Sequence, residues 1–310
     1  MKAFALPDFD HAAALTDLEL PEPNQGEVRV RVRAASVNGF DLAVANGFLK
    51  GAMEHHFPVV LGKDFAGEVD ALGADVEGYS IGDRVFGVVT KPSLGAGSLG
   101  EYVTVSTTVG LAHLPEGIDF IEGASLGLAG TAAVDAFDAA HLTSGSTVLI
   151  AGATGGVGQQ ALQLAVRAGA TVVATASSPE EIDLVTRLGA AQTIDYRGDV
   201  AAQTAALYPQ GVDAVLHFAG EPAALVPAVK AGGNFVSTLV QSPEALATDD
   251  VNVAPIYASP SPETLARLAL NQDQKTTAVT VQRVYALSEA GQAFADFSAG
   301  TLGKLVITLG

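Results

Sequence analysis

An apolar run, a glycine-rich turn and a helical pattern follow one another in "VLIAGATGGVGQQALQLA", residues 148–165, and no other stretch constrains the fold as much. The apolar residues before the turn read as a buried strand, and the pattern from Val157 onward reads as a helix. Strand, tight turn and helix in that order form half of a βαβ unit, whose helix N-terminus offers unpaired N–H groups to negative oxygens. Gly155 is expected to take backbone angles closed to other residues. Gly156 and Gly158 leave no side chain in the way of a pyrophosphate or of the packing of helix on strand. Ala153 stands where the G-x-G-x-x-G pattern has its first glycine, so the turn alone is suggestive, and a plain glycine-rich turn in an α/β fold is the competing reading.

The rest of the chain supplies context. From about residue 116 the texture changes: a helical stretch over 119–142 precedes "TVLIAGA", "TVVATAS", the helix "PEEIDLVTRLG", "AQTIDY", "GVDAVLHFAG" and "GNFVSTL". Strands alternating with helices predict a parallel, doubly wound sheet. The first third differs, with short valine-rich segments such as "GEVRVRVRAASVN" and "IGDRVFGVV" broken by Gly, Pro and Asn, which predicts a mostly β domain. In "VRVRVR" the period of two puts Arg29, Arg31 and Arg33 on one solvated face. A last helix (Pro262 to Asn271) and a last strand, "KLVITLG", close the chain.

Composition removes several classes of function. With 310 residues, 48% of them hydrophobic, the chain can bury a large core or two smaller ones. A formal charge of −18 repels phosphate backbones and acidic lipid surfaces, so neither nucleic acid nor membrane is an expected partner. There are no cysteines, which excludes disulfides, thiol catalysis and cysteine-ligated zinc. No signal peptide and no apolar span of about 20 residues is present, and a cytoplasmic location is the default expectation.

The second strand of the doubly wound sheet bears on which dinucleotide would bind. Where NAD-preferring folds place an Asp or Glu, "TVVATASS" supplies Ala176, Ser177 and Ser178. No carboxylate on that strand opposes a 2′-phosphate, both serines can donate to its oxygens, and Arg197 of "DYRGD" can add a positive charge. NADP(H) is the expected cofactor, against the objection of Glu181 close by in sequence.

Together with "SVNGFD" (36–41), "LGKDFAGEV" (61–69), "GDRVFG" (82–87), "GSLGEYV" (97–103), "LPEGIDFIEGASLGLAGTAA" (114–133), "LGAAQTIDYR" (188–197), "GVDAVLHFAG" (211–220) and "GKLVITL" (303–309), these features lie in one order along the chain. In that order they resemble the medium-chain dehydrogenase/reductase superfamily, in its zinc-independent quinone oxidoreductase branch related to zeta-crystallin. The resemblance implies a GroES-like distorted β-barrel domain (1–115 plus 259–310) with a Rossmann domain (116–258) inserted, and a cofactor in the cleft between them. It implies that Asn38 approaches the nicotinamide and substrate, that Thr131 approaches the nicotinamide ribose or ring, and that Tyr196 borders the adenosine end. By the same resemblance Gly155, Gly156, Val157, Phe218 and Ala219 line the cofactor. Where zinc-binding members carry a histidine in "GHE", this chain has Gly62-Lys63-Asp64. NADPH-dependent members commonly have lysine where Glu181 stands.

Asn38 has a carboxamide able to hydrogen-bond an oxygen that gains charge during hydride delivery, and its alternative role is turning the chain before Gly39. Asp41 is read as structural. Lys63 acts as proton donor or carbonyl polariser if its ammonium points into the cleft, and does nothing if exposed. His55 and His56 read as surface loop, while His113, His141 and His217 read as satisfied structural histidines. Ser125 in "GASLG" matches a nucleophile pattern by letters but sits in a helix, without the strand-to-helix elbow that chemistry needs. The expected activity is metal-free, NADPH-dependent reduction of a quinone or an α,β-unsaturated carbonyl compound. The alternative is a non-catalytic dinucleotide-binding sensor or structural protein. "NVAPIYA" (252–258) is expected to be the edge strand of the Rossmann sheet and the contact of a homodimer.

Overall fold

The computed structural model describes residues 1–246, 248 and 250–310. Packing divides the chain into two compact units, one of residues 1–128, 260–275 and 279–310, the other of 129–259 with 276–278.

The first unit begins with β1 (Lys2–Leu6), β2 (Ala14–Asp17), β3 (Glu27–Ser36), α1 (Gly39–Ala45), β4 (Val59–Val60), β5 (Asp64–Leu72), β6 (Arg84–Val88), β7 (Tyr102–Ser106) and β8 (Leu111–His113). Helix α2 (Phe120–Ala139) follows. The alternation in β3 does what its period predicts: Val28, Val30 and Val32 are buried, and Arg29 and Arg33 pair with Asp70 and Glu68 of β5. Each such valine contributes roughly 1.5–3 kcal/mol by leaving water, whereas the partly exposed ion pairs contribute about 1 kcal/mol or less. The sequence puts the boundary at 115/116, but the packing puts it at 128/129, inside α2. The first turns of α2 lie tight against the barrel strands: a Cβ on Gly127 would meet Asp64 Oδ1 at 2.5 Å.

The second unit continues with β9 (Thr147–Ala151), α3 (Gly156–Arg167), β10 (Thr171–Thr175), α4 (Pro179–Arg187), β11 (Gln192–Ile194), α5 (Val200–Leu207), β12 (Val212–His217), α6 (Pro222–Leu225), β13 (Val229–Ser237) and β14 (Asn252–Pro255). Among the described residues these strands form one six-stranded parallel sheet in the order β11-β10-β9-β12-β13-β14, the Rossmann order. Helices on both faces explain why β9 and β10 read as nearly unbroken apolar runs. Helix α4 starts where its sequence says it must, with Pro179 in its first turn and Ser178 Oγ accepting the Glu181 N–H. β14 is an edge strand, as expected for its segment.

The chain then returns to the first unit through α7 (Pro262–Asp273), β15 (Val281–Ala286), α8 (Ala290–Ser298) and β16 (Lys304–Thr308). β16 pairs antiparallel with β3 and parallel with β15, extending a sheet of order β15-β16-β3-β5-β6-β8, with β7 also on β3. A C-terminal strand thus lies beside the end of β3, opposite Ser36 at Val306. Among the described residues no helix is long and apolar enough to cross a membrane.

Candidate active site

The turn after β9 has the construction its glycines suggest, with one exchange of roles. Gly155 is the N-cap of α3 at an ordinary φ of −76°, and the left-handed residue is Gly152, at φ +81°. A Cβ on Gly158 would stand 2.1 Å from Gly152 O, so this glycine lets the helix approach the turn. A Cβ on Gly155 would meet nothing nearer than Gly152 O at 3.5 Å, so the absent side chain there serves no packing and leaves open space beside the helix N-terminus. Gly156 and Val157, both partly exposed, begin α3, whose first amides have no acceptor one turn back. Such a cradle fits a pyrophosphate. Ala219 adjoins the turn, its Cβ 2.9 Å from where a Gly152 Cβ would be, and the Phe218 N–H donates to Ala151 O. Thr131 is fully buried in α2.

At the C-terminal ends of β10 and β11, Ser177 and Arg197 meet, as partners of one carboxylate that the sequence did not single out. Arg197 forms a bidentate pair with Asp195, and its Nη2 also donates to Ser177 O at 3.0 Å. The Ser177 hydroxyl donates to Asp195 through a short hydrogen bond. These two hydrogen bonds, Arg197 first and Ser177 second, hold the Asp195 carboxyl well below the usual carboxylate range. Glu181 bears directly on this strand end. It folds back over the strand end, where Oε2 accepts the Ser177 N–H at 2.6 Å and the Ser178 N–H at 3.1 Å, and Oε1 accepts the Tyr196 hydroxyl. Ser177 and Arg197 are therefore occupied by a carboxylate rather than free, while the Ser178 Oγ accepts the Glu181 N–H as the helix cap. Asp195 was readable only as part of "DYR". What hid its role is the parallel register that sets Thr175 beside Ile194, a pairing of distant strands.

In the first unit, Asn38 and Asp64 are buried at 7% and 0% exposure and belong to one polar cluster. Asn38 Nδ2 donates to Asp64 Oδ2 at 2.9 Å, and Asn38 Oδ1 accepts from Lys304 Nζ at 2.6 Å. Asp64 Oδ2 also accepts from Ser36 Oγ, and Oδ1 accepts the Leu128 N–H at 2.7 Å. Asp41 caps α1 by accepting the Asn38 N–H at 2.8 Å. Burial, with repulsion from Asp64 second, pushes the Asp41 carboxyl up to about 7. Lys63 is not an idle surface lysine: its Nζ donates to Val89 O at 2.8 Å and lies 4.7 Å from the Phe40 ring centroid. Desolvation lowers its pKa. It lines a hollow with Phe40, Asp41, Lys91, Ser93 and Leu94. Lys304 went unnoticed in the sequence because nothing local marks a lysine at the head of "KLVITL" as buried.

The remaining candidates fall outside both places. Ser125 donates to Ile121 O within α2, as a helical serine does. His217 is buried between Ser237 Oγ and Gly220 O, and burial lowers its pKa. His113 and His141 lie at the surface because each ends its element: His113 closes β8, where its Nε2 meets Gly78 O at 3.1 Å and its ring stacks on Tyr79, and His141 follows α2 at φ +52°. His55 packs in an aromatic group with Phe9 and Phe57. Among the described residues no group of three or more His, Cys, Asp or Glu side chains is placed to hold a metal ion.

Residues 24–116 match the family described as the alcohol dehydrogenase GroES-like domain, and residues 156–256 match that described as zinc-binding dehydrogenase. A chloroplastic quinone-oxidoreductase QR1 from Triphysaria versicolor is 36% identical over 67% of this chain and 64% of its own length. A chloroplastic NADPH-dependent alkenal/one oxidoreductase from Arabidopsis thaliana is 32% identical over 76% of this chain and 62% of its own. In both cases the match spans less than two thirds of the curated relative. The solved structure of a quinone oxidoreductase from Coxiella burnetii superposes with a TM-score of 0.90 at 30% identity, covering 100% of this chain and 99% of that one.

Proposed function

Since the chain belongs to the medium-chain dehydrogenase/reductase superfamily, in its quinone oxidoreductase branch, we propose that it reduces a quinone or an α,β-unsaturated carbonyl compound with NADPH, without a metal. The observation that carries this reading is the β9–α3 cradle, open at Gly155 and closed against packing at Gly158. When bound, the nicotinamide dinucleotide supplies the hydride. The chain's own groups do the rest. Gly155, Gly156, Val157 and the head of α3 would hold the pyrophosphate, with Phe218 and Ala219 along the cofactor's path and Thr131 buried in α2. Ser177, Ser178, Tyr196 and Arg197 meet its adenosine end. Asn38 donates an N–H to the oxygen that gains negative charge, which is the interaction this reaction most rewards. Lys63, its proton loosened by burial, is the donor beside the hollow, and water is the other proton source.

NADPH is favoured over NADH by a narrow margin. Supporting it are the absence of a carboxylate on β10 itself, the Arg197 guanidinium held at Ser177, and the example of the NADPH-dependent relative. Opposing it are Asp195 and Glu181, which a 2′-phosphate must displace from Arg197 and Ser177. We also propose a homodimer joined through the β14 edge, which light scattering reporting a monomer mass at micromolar concentration would refute. The activity is tested by following NADPH and NADH oxidation by a panel of quinones and enones. Turnover with several acceptors is the expected result. Dinucleotide binding without turnover on any of them would favour a non-catalytic sensor or structural protein.

A further inference from the structure

Asn38 and Lys304 lie 266 residues apart in sequence, yet the lysine's Nζ is 2.6 Å from the carboxamide oxygen. A carboxamide has one acceptor end and one donor end, and a free asparagine can turn by half a rotation to present either. Here the two ends are anchored by opposite charges. The ammonium of Lys304 donates to Asn38 Oδ1, and the carboxylate of Asp64 accepts from Asn38 Nδ2 at 2.9 Å. A flipped amide would set N–H against ammonium and oxygen against carboxylate, two repulsions in a site where Lys304 is 4% and Asp64 0% exposed. The three protons of Lys304 are matched by three acceptors: Asn38 Oδ1, Val37 O at 3.2 Å and Asp64 Oδ2 at 3.3 Å. What remains of the Asn38 amide is its second N–H, whose acceptor inside the protein, Ser36 O, is at 3.5 Å, the outer limit of a hydrogen bond.

We propose that Lys304 is a positioning residue for Asn38. By holding the carboxamide oxygen it obliges the amide to offer only an N–H, the polarity needed by an oxygen that gains negative charge and the wrong one for a donor. The proposal rests on the reductase reading, in which Asn38 meets the reacting carbonyl. A burial-only role for the Lys304–Asp64 pair leads to a different expectation, because an ion pair that merely fills the core supports the fold equally whatever stands at position 38.

The experiment is a double-mutant cycle on quinone reduction by the 310-residue chain, with Asn38→Ala, Lys304→Met and the double variant, reading kcat, dinucleotide Kd by fluorescence titration, and melting temperature. Asn38→Ala is expected to lower kcat about 100-fold, the usual scale for one oxyanion donor. Lys304→Met is expected to lower kcat at least about tenfold when Asn38 is present and less than about twofold in the Asn38→Ala background, with Kd for NADPH within about twofold throughout. Because Lys304→Met leaves Asp64 buried without a counter-charge, the cycle is repeated with Lys304→Met/Asp64→Asn, which removes both charges and is expected to give the same coupling. Equal falls in kcat in both backgrounds would overturn the proposal, as would an Asn38→Ala variant with unchanged kcat. Either result leaves the reductase reading standing. Absence of quinone or enone turnover by the unmodified protein would overturn that reading and the proposal with it.

Discussion

The two polar clusters use the same groups, an aspartate, a cation and a hydroxyl, in opposite surroundings. At the ends of β10 and β11, the Arg197 and Asp195 side chains are 66% and 43% exposed, whereas in the first unit those of Lys304 and Asp64 are 4% and 0% exposed. An exposed pair contributes about 1 kcal/mol or less and can exchange a carboxylate for a ligand's phosphate at small cost. A buried pair is costly to break, and so it holds one arrangement. The first suits recognition of a cofactor that comes and goes. The second suits a group whose direction must not change between turnovers.

The contrast breaks most visibly if the buried pair is cut. Asp64→Ala strips Lys304, Asn38, Ser36 and the Leu128 N–H of a common acceptor, and urea unfolding is expected to show a loss on the order of 3–5 kcal/mol. A loss under about 1 kcal/mol would mean that water reaches the cluster and that it fixes nothing.

A smaller effect comes from Asp41. In the folded chain this carboxyl keeps its proton up to about pH 7, against an ordinary value of 3.8, so between those values the folded state holds more protons and stability falls as pH rises. Above about 7 both states are ionised and the slope vanishes. Asp41→Asn removes the titration, and its stability relative to the unmodified protein should rise by a few kcal/mol, in order of magnitude, from pH near 4 to pH near 8. Parallel curves for the two proteins across that range would show that Asp41 titrates normally.

At the exposed cluster the effects should be confined to the cofactor. Glu181→Lys is expected to raise the preference for NADPH over NADH about tenfold, and Asp195→Asn, which releases Ser177 and Arg197, by a factor of roughly three to ten, both with little change in melting temperature. Arg197→Ala should narrow the preference about two- to threefold, and less at high salt. If Asp195→Asn instead lowered the melting temperature by many degrees, the supposed difference between the clusters would disappear.

The parts of this that sequence alone could reach are those set by local rules. The strand–turn–helix at 148–165, the capped start of α4 and the alternation in β3 each follow from spacing within a few residues, and each is in its expected place. Gly152 rather than Gly155 carries the left-handed backbone, because a motif counts glycines without saying which one the turn bends at. The exposed cluster is half legible: the sequence points to Ser177, Ser178, Tyr196 and Arg197, but not to the partners of Glu181 and Asp195, which depend on the β10–β11 register. Lys304 was not legible, because it meets Asn38 only when β16 is laid along the end of β3. α5 went unread, its short alanine-rich run having too little periodicity to stand out.

The most direct test of hydride transfer to carbon is to reduce an enone with NADPH deuterated at the nicotinamide C4 and locate the label by mass spectrometry and NMR. The account expects one deuterium at the β-carbon of the saturated product and a solvent-derived proton at the α-carbon. Product without label at the β-carbon, or consumption of NADPH with no saturated product, would contradict it.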